Sequence, residues 1–386
     1  MKPKYEIAEI LQLYQQNFLK KHKTNNQVLR TFSALKKCRT SALGGNAKAC
    51  TSCGNIQISY NSCRNRHCPK CQAVAREKWI MQRETELLNV PYFHIVFTLP
   101  HEFNKLAKEC PKEFYNALFH ASWQTIQTLA SDNKFLGAKT SMTAVLHTWG
   151  QQLALHPHLH CIVPGGGINK KEQWVFPKKY QKNKRKIKYL FPKKVMSIVF
   201  KAKFMACLRE QIQIPQEIAK RVISKNWVVY AKQPFIGPKA VIEYLGRYTH
   251  KIAISNHRLT DIENGNVSFK YKDYSDDQKN KIMTLDASEF IRRFSLHILP
   301  SGFRKMRHYG MLASRNKAVD LNIAKEFFGL KRWTKQKFNW EVIAKEKLNI
   351  NPNFCKHCKQ NTMVIIQTTE PRRGPPIINA KPNYDF

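Results

Sequence analysis

Apolar residues recur along the chain with two different periods. Ile7, Ile10, Leu11 and Tyr14 follow at three- and four-residue steps, and this spacing predicts helix over about residues 5–37, closed by a Gly44-Gly45 turn. The run AVAREKWIMQRETELLNV after Cys71 repeats the helical spacing with good helix formers, and Pro91 ends it. Beyond Pro91 the period shortens. FHIVFTLP, MTAVLHTWG, HLHCIVPGGG and NWVVYAK are short β-branched or aromatic runs bounded by turn residues, as the strands of one sheet are. Helical stretches such as EFYNALFHASWQTIQTLASD and VMSIVFKAKFMACLREQI lie between them, so the class is α+β or α/β with helices packed on a sheet. From Leu259 a polar strand pair is expected, with Asn264-Gly265 as its hairpin turn. FIRRFSLHILPSGFRKMRHYG is apolar at helical spacing yet strongly basic, and it reads either as a DNA-docking helix pair packed on the sheet domain or as an ordinary amphipathic helix with a solvated basic face. The residues after Pro371, rich in Pro, Asn and Arg, read as a tail without fixed structure.

Size and charge sharpen this picture. With 386 residues, 42% of them hydrophobic, the chain has material for two or three domains and at least one substantial core. Its 66 Lys and Arg against 26 Asp and Glu give a net charge of +40, which needs a polyanion nearby. Nucleic acid fits better than an anionic membrane, because neither a lipid-anchor motif nor a long amphipathic basic helix is present. The dense basic run from Lys178 to Lys194 reads either as a solvated surface loop or as a contact with DNA backbone. No apolar run approaches the ~20 residues of a membrane span, and the N-terminus lacks the apolar core of a signal peptide. The protein is therefore expected to be soluble and intracellular, a compartment in which its eleven cysteines serve as metal ligands rather than disulfides.

Six of those cysteines fall between Cys38 and Cys71. Cys50-x-x-Cys53 and Cys68-x-x-Cys71 are two knuckles whose thiolates together satisfy a closed tetrahedral Zn²⁺ site, and Cys50, Cys53, Cys68 and Cys71 are the expected structural ligands. Cys63 and His67 are alternates, or members of a second site with Cys38. Arg64, Arg66 and Lys70 lie among the ligands, so the folded knot would present basic groups to DNA. A further pair, Cys355 and Cys358, is half a site that would need ligands from elsewhere or is incidental.

Two further patterns carry candidate chemistry. In LALHPHLHCIVPGGG the alternation of a strand puts His158 and His160 on one face, with Leu159 turned to the other, and side-by-side imidazoles on a rigid strand suit a divalent cation. His156 belongs to the same series, although Pro157 disturbs the strand there. In VIEYLGRYTHKIAIS, Tyr244 and Tyr248 stand four residues apart, so on a helix both hydroxyls reach one site. A phenol titrates near ~10, and attack on phosphorus requires positive charge and a metal, towards which Arg247, His250 and Lys251 can contribute.

Taken in order, SCRNRHCPKCQ, YFHIVFTLPHEFN, HPHLHCIVPGGG, YLGRYTHKIAISNHRL and EFIRRFSLHILPSGFRKMRHYG resemble the two-tyrosine HUH transposases of rolling-circle insertion sequences, of the insertion-sequence family 91 type. The resemblance implies an α+β fold: a helical zinc-binding domain over residues 1–89, then an HUH catalytic domain over 90–258, built on an antiparallel sheet with packed helices and carrying the tyrosine helix. A basic region over 259–370 and a tail over 371–386 follow. Carried onto this sequence, it makes Tyr244 and Tyr248 the nucleophiles and His158 and His160 the ligands of a catalytic Mg²⁺ or Mn²⁺, with Gln151, Gln152 or His156 as third ligand. Arg64, Arg66, Arg247 and Lys251 would contact single-stranded transposon ends and target DNA in a bacterial cytoplasm or nucleoid. A zinc-dependent DNA-binding regulator without catalysis is the alternative.

Overall fold

The computed structural model describes residues 3–178, 189–232, 240–241, 246 and 250–371. Tyr244, Tyr248 and Arg247, most of the basic run from Lys178 to Lys194, and residues 372–386 of the expected tail lie outside the described residues.

The N-terminal segment forms two helices, α1 (Ile7–Lys21) and α2 (Asn26–Lys37), rather than one. The break falls where the side chain of Asn25 accepts a hydrogen bond from the Val28 amide, an N-cap that competes with helix continuation. A hairpin of β1 (Gly45–Cys50) and β2 (Ile56–Tyr60) follows, and α3 (Gln72–Glu84) forms the first part of the helix predicted after Cys71, ending six residues before the expected stop at Val90. The chain then alternates: β3 (Tyr92–Thr98), α4 (Asn104–Glu109), α5 (Pro111–Ser131), β4 (Ser141–Trp149), β5 (Leu155–Pro164), the short pair β6 (Gly167–Ile168) and β7 (Trp174–Val175), α6 (Lys193–Arg209), α7 (Gln216–Ser224) and β8 (Val229–Ala231). The C-terminal third adds β9 (Leu259–Glu263), β10 (Asn266–Asp273), β11 (Lys279–Asp286), α8 (Ala287–Ser295), β12 (Met306–Gly310), α9 (Lys317–Phe327), α10 (Trp340–Leu348) and β13 (Met363–Thr369). None of these helices is long and apolar enough to cross a membrane.

The central sheet has the order β12-β4-β5-β3-β8, every neighbouring pair antiparallel, and the fold is α+β. All four predicted strands belong to it. Its fifth strand, β12, lies in the stretch expected to be helical. After α8 the chain turns through Pro300 and Gly302 (φ +69°), and Met306–Gly310 then pair with Ser141–Val145. Arg307 on this edge strand stands 4.2 Å from the Phe119 ring centroid and donates to Asn116, so part of the basic character predicted for a DNA-docking face serves packing instead.

The two faces of the central sheet differ. One buries Phe93, Ile95, Phe97, Leu146, Leu159, Cys161 and Val163 against Phe114 and Phe119 of α5 and Phe200 and Phe204 of α6, with the Phe97 and Phe200 rings 4.7 Å apart. Each such aromatic contributes about 1.5–3 kcal/mol by leaving water, which fixes which face is interior. The opposite face carries histidines. A separate core joins Ile10, Phe18 and Phe32 of the first two helices to Phe269 and Phe290. That core is roofed by the sheet β11-β10-β9, whose β9–β10 turn is the expected Asn264-Gly265, with φ values of +50° and +77°.

His297 stitches that core to the central sheet. Its ring is buried, its Nε2 donates to the Leu153 carbonyl (3.0 Å), and its Nδ1 lies 3.1 Å from Thr148 Oγ1. Burial holds its pKa at about 4 against an ordinary value near 6.5. A histidine depressed on folding stabilises the native state fully above the unfolded value and loses that contribution as pH falls towards the folded one. The chain is thus expected to lose about 2 kcal/mol through this residue between pH 7 and 5. Urea unfolding at the two pH values should show a smaller difference in His297→Gln than in the parent, and an unchanged difference would refute this assignment.

Candidate metal centres

Strand register assembles the first centre. On β5 the side chains of His156, His158 and His160 share the face opposite Leu159 and Cys161, because alternate residues of a strand point the same way. β4 runs antiparallel beside it with His147 directly across from His158. The donor atoms of His147, His158 and His160 lie within 4.8 Å of one another, and the ring centroids of His147 and His160 are 4.5 Å apart. His147 thus stands where a third ligand was sought at Gln151, Gln152 or His156. Gln151 and Gln152 lie in the β4–β5 connection, and the exposed His156 sits at the outer end of the row.

The hydrogen bonding matches a ligand role. His158 Nδ1 lies 2.6 Å from the carbonyl of His156, which fixes its proton on that nitrogen and leaves the Nε2 lone pair available. His160 Nδ1 lies 2.9 Å from Nε2 of the buried His94 on β3, in stacked geometry. In the tautomer that donates Nδ1–H to His94, His160 too presents Nε2, the usual orienting arrangement around metal-bound imidazoles. Burial keeps these rings neutral: it holds His158 at about 4 and His94 at about 3, and it places His160 well below the ordinary range, helped by the neighbouring His158 and His94. Neutral imidazole is the form that binds a cation, and the three histidine donors gathered on one rigid face fit a divalent ion.

Cations border this face. Lys305, just before β12, donates to the Lys251 carbonyl (2.7 Å) and stands 4.9 Å from the Trp149 ring centroid. Burial, with Arg66 and Lys251 nearby, lowers its pKa to about 7. Lys251 and Lys305 both act on the His160 imidazole. The described residues flanking the two tyrosines rest on α3: Val241 packs in the cluster of Trp79 and Ile162, the His250 ring lies 6.5 Å from that of Trp79, and a Cβ on Gly246 would meet Ile80 Cδ1 at 2.5 Å. Ile162 belongs to the histidine-bearing face of β5, two residues beyond His160.

The cysteines form two groups of four. Cys38, Cys63, Cys68 and Cys71 make one, with Cys38 and Cys71 Sγ atoms 3.2 Å apart; Cys50, Cys53, Cys355 and Cys358 make the other. The four thiols expected at a single ion, Cys50, Cys53, Cys68 and Cys71, are therefore divided between them. A CxxC turn fixes only its own two thiols. Cys50 and Cys53 lie at the tip of the β1–β2 hairpin, whereas Cys38 and Cys63 lie at its base, about 17 Å away for a six-residue strand. His67 joins neither group among the described residues, and burial lowers its pKa to about 3. Arg66, expected to face DNA, donates to the carbonyls of Phe303 and Pro300 and so anchors the thiol loop to the segment preceding β12. Arg64 is exposed, in left-handed backbone (φ +52°).

His147, His94 and Lys305 escaped the sequence reading. The first two were legible only as polar residues inside apolar strands, and Lys305 lay in a stretch read as helix.

Comparison with known proteins agrees with a zinc-binding role for the cysteines. A family model described as "Transposase zinc-binding domain" matches residues 10–99, and one described as "Putative transposase" matches residues 141–319. The chain is 38% identical to "Putative transposase y4qJ" of Sinorhizobium fredii (strain NBRC 101917 / NGR234), over 96% of this chain and 97% of that protein. It is 28% identical to the "Transposase for insertion sequence element IS801" of Pseudomonas savastanoi pv. phaseolicola, over 93% of this chain and 89% of that protein. No solved structure matches. With a zinc-binding domain ahead of a sheet that gathers three histidines, and with near full-length similarity to these relatives, the chain belongs to the transposases of insertion-sequence family 91.

Proposed function

We propose that this transposase nicks and rejoins single-stranded DNA through a 5′-phosphotyrosine intermediate, with Tyr244 and Tyr248 as nucleophiles and His158, His160 and His147 as ligands of a catalytic divalent ion. The observation that carries the reading is the convergence of three histidine donor atoms on the sheet face opposite α5 and α6, with Lys305 and Lys251 beside them. When bound, the ion polarises a phosphodiester oxygen. Three nitrogen donors suit Mn²⁺ better than Mg²⁺, which prefers oxygen ligands.

The remaining chemistry falls to the chain. One phenol attacks phosphorus, its oxygen forms the new ester, and the 3′ oxygen leaves and takes a proton, so the bond energy is kept in phosphotyrosine and no ATP is consumed. The second phenol, or a returning 3′-hydroxyl, reverses the exchange on another strand. Lys305 and Lys251 offset the charge that grows on the phosphate, and Arg64 and Arg247 contact the DNA backbone. Cys38, Cys63, Cys68 and Cys71 hold a structural Zn²⁺ whose fold sets α3 against the residues flanking the tyrosines. The reaction takes place in the cytoplasm, on transposon ends and target DNA.

The test is incubation with labelled single-stranded DNA and Mn²⁺, followed by denaturing electrophoresis. A DNA–protein adduct that survives denaturant is expected from the parent chain, and none from the Tyr244→Phe/Tyr248→Phe double variant, with DNA affinity unchanged within a few-fold. Cleavage without an adduct would point to a hydrolase, and binding without cleavage to a zinc-dependent regulator; either result overturns the proposal.

A further inference from the structure

Cys355 and Cys358 lie beyond both family matches, which end at residues 99 and 319. In the folded chain they meet Cys50 and Cys53, some three hundred positions earlier. Sγ of Cys50 lies 3.5 Å from that of Cys358, Sγ of Cys53 lies 3.8 Å from that of Cys355, and all four sulfurs fall within 4.8 Å of one another. Thiolates bound to one Zn²⁺ at ~2.3 Å stand about 3.8 Å apart along each edge of the tetrahedron, so the spacing is that of a four-sulfur site.

The backbone points the same way. After Cys50 the Gly54 amide donates to the Cys50 carbonyl (2.9 Å), and the Cys50 amide donates to the Asn55 carbonyl (2.9 Å). After Cys355 the Lys359 amide donates to the Cys355 carbonyl (3.0 Å), and the Cys355 amide donates to the Gln360 carbonyl (2.7 Å). The residue following each second cysteine is left-handed: Gly54 at φ +71° and Lys359 at φ +63°. Two stretches unrelated in position thus fold into the same knuckle, turned face to face.

The surroundings also need a metal. β13 pairs with β1 from Gly45↔Thr369 to Cys50↔Met363, yet every residue of β2 and the last six residues of β13 are exposed. Among the described residues, the hydrophobic cluster at this end is Cys50, Cys355 and Met363 with Cys358 against them. So small a core does not hold a three-stranded sheet by burial alone. Thr362 Oγ1 lies 3.0 Å from Cys50 Sγ, a hydroxyl suited to a bound thiolate.

We infer that Cys50, Cys53, Cys355 and Cys358 form a second structural zinc site, a clasp that fastens the C-terminal segment to the N-terminal hairpin. Its consequence is that the zinc-binding module is made from both ends of the chain, with α10 also tied back to α3 by Lys347–Glu84 (3.0 Å).

Cobalt(II) tests this in the full chain, since thiolate-to-cobalt charge transfer reports sulfur-bound ions and is silent for the histidine centre. The parent chain should saturate with two sulfur-bound cobalt ions, and Cys355→Ser/Cys358→Ser with one. The conservative Cys358→His should retain two, with a weaker band from the altered site, which keeps the inference testable if the double variant does not fold. Limited proteolysis should cut within residues 349–371 of the double variant far faster than in the parent. Saturation of the parent at one sulfur-bound ion, or two retained in the double variant, would overturn the inference.

Discussion

His160→Ala is expected to eliminate Mn²⁺-dependent cleavage and adduct formation, with a loss of roughly a thousandfold or more, or about 4 kcal/mol of transition-state stabilisation. His160 is the hub of its centre: it faces His147 from the neighbouring strand, follows His158 along its own, and is oriented from the other side by His94. Removing it leaves two imidazoles that cannot surround an ion. His94→Gln leaves all three ligands in place but frees the His160 ring to turn, and a ten- to hundredfold weakening of Mn²⁺ binding is expected, with cleavage recovering at high Mn²⁺. Calorimetric titration of Mn²⁺ and single-turnover cleavage check both. A His160→Ala protein that still cleaves at saturating Mn²⁺ would remove the histidine centre from the mechanism.

Cys68→Ser should produce the largest structural effect. Cys68 is buried, and its cluster ties the end of α2, through Cys38, to the start of α3, through Cys71. Structural zinc in small modules contributes on the order of 10 kcal/mol at neutral pH. Loss of the ion is expected to raise amide exchange in α2 and α3 by at least ~100-fold. Because α3 carries Trp79 and Ile80 against His250 and Gly246, nicking should fall with it even though no thiol touches DNA. Prolonged chelation of the parent chain should reproduce the effect. Unchanged exchange in α2 and α3 after loss of Cys68 would show that the cluster is packed without a metal.

How much was legible in advance follows the range of the forces involved. Strand alternation is set by covalent geometry, so His158 and His160 on one face, with Leu159 on the other, could be read from three residues. The Asn264-Gly265 turn was equally local, since it rests on the tolerance of those two residues for left-handed backbone. The break at Asn25 was missed, although its signal was present, because a cap and a continuing helix compete within about 1 kcal/mol.

The sequence by itself determined which residues can bind metal, where four strands of the central sheet and the helices packed on it arise, and that the partner is a polyanion, because donor chemistry, period and charge reside in single residues and their near neighbours. Tertiary structure decided which donors share an ion. His147 became a ligand candidate through the β4–β5 register, and a slip of one residue would have turned it to the other face. Cys50 and Cys53 parted from Cys68 and Cys71 because a hairpin set them at opposite ends, and they met Cys355 and Cys358 because β13 returned to β1. Such pairings depend on where the whole chain buries its apolar surface, and no local spacing encodes that.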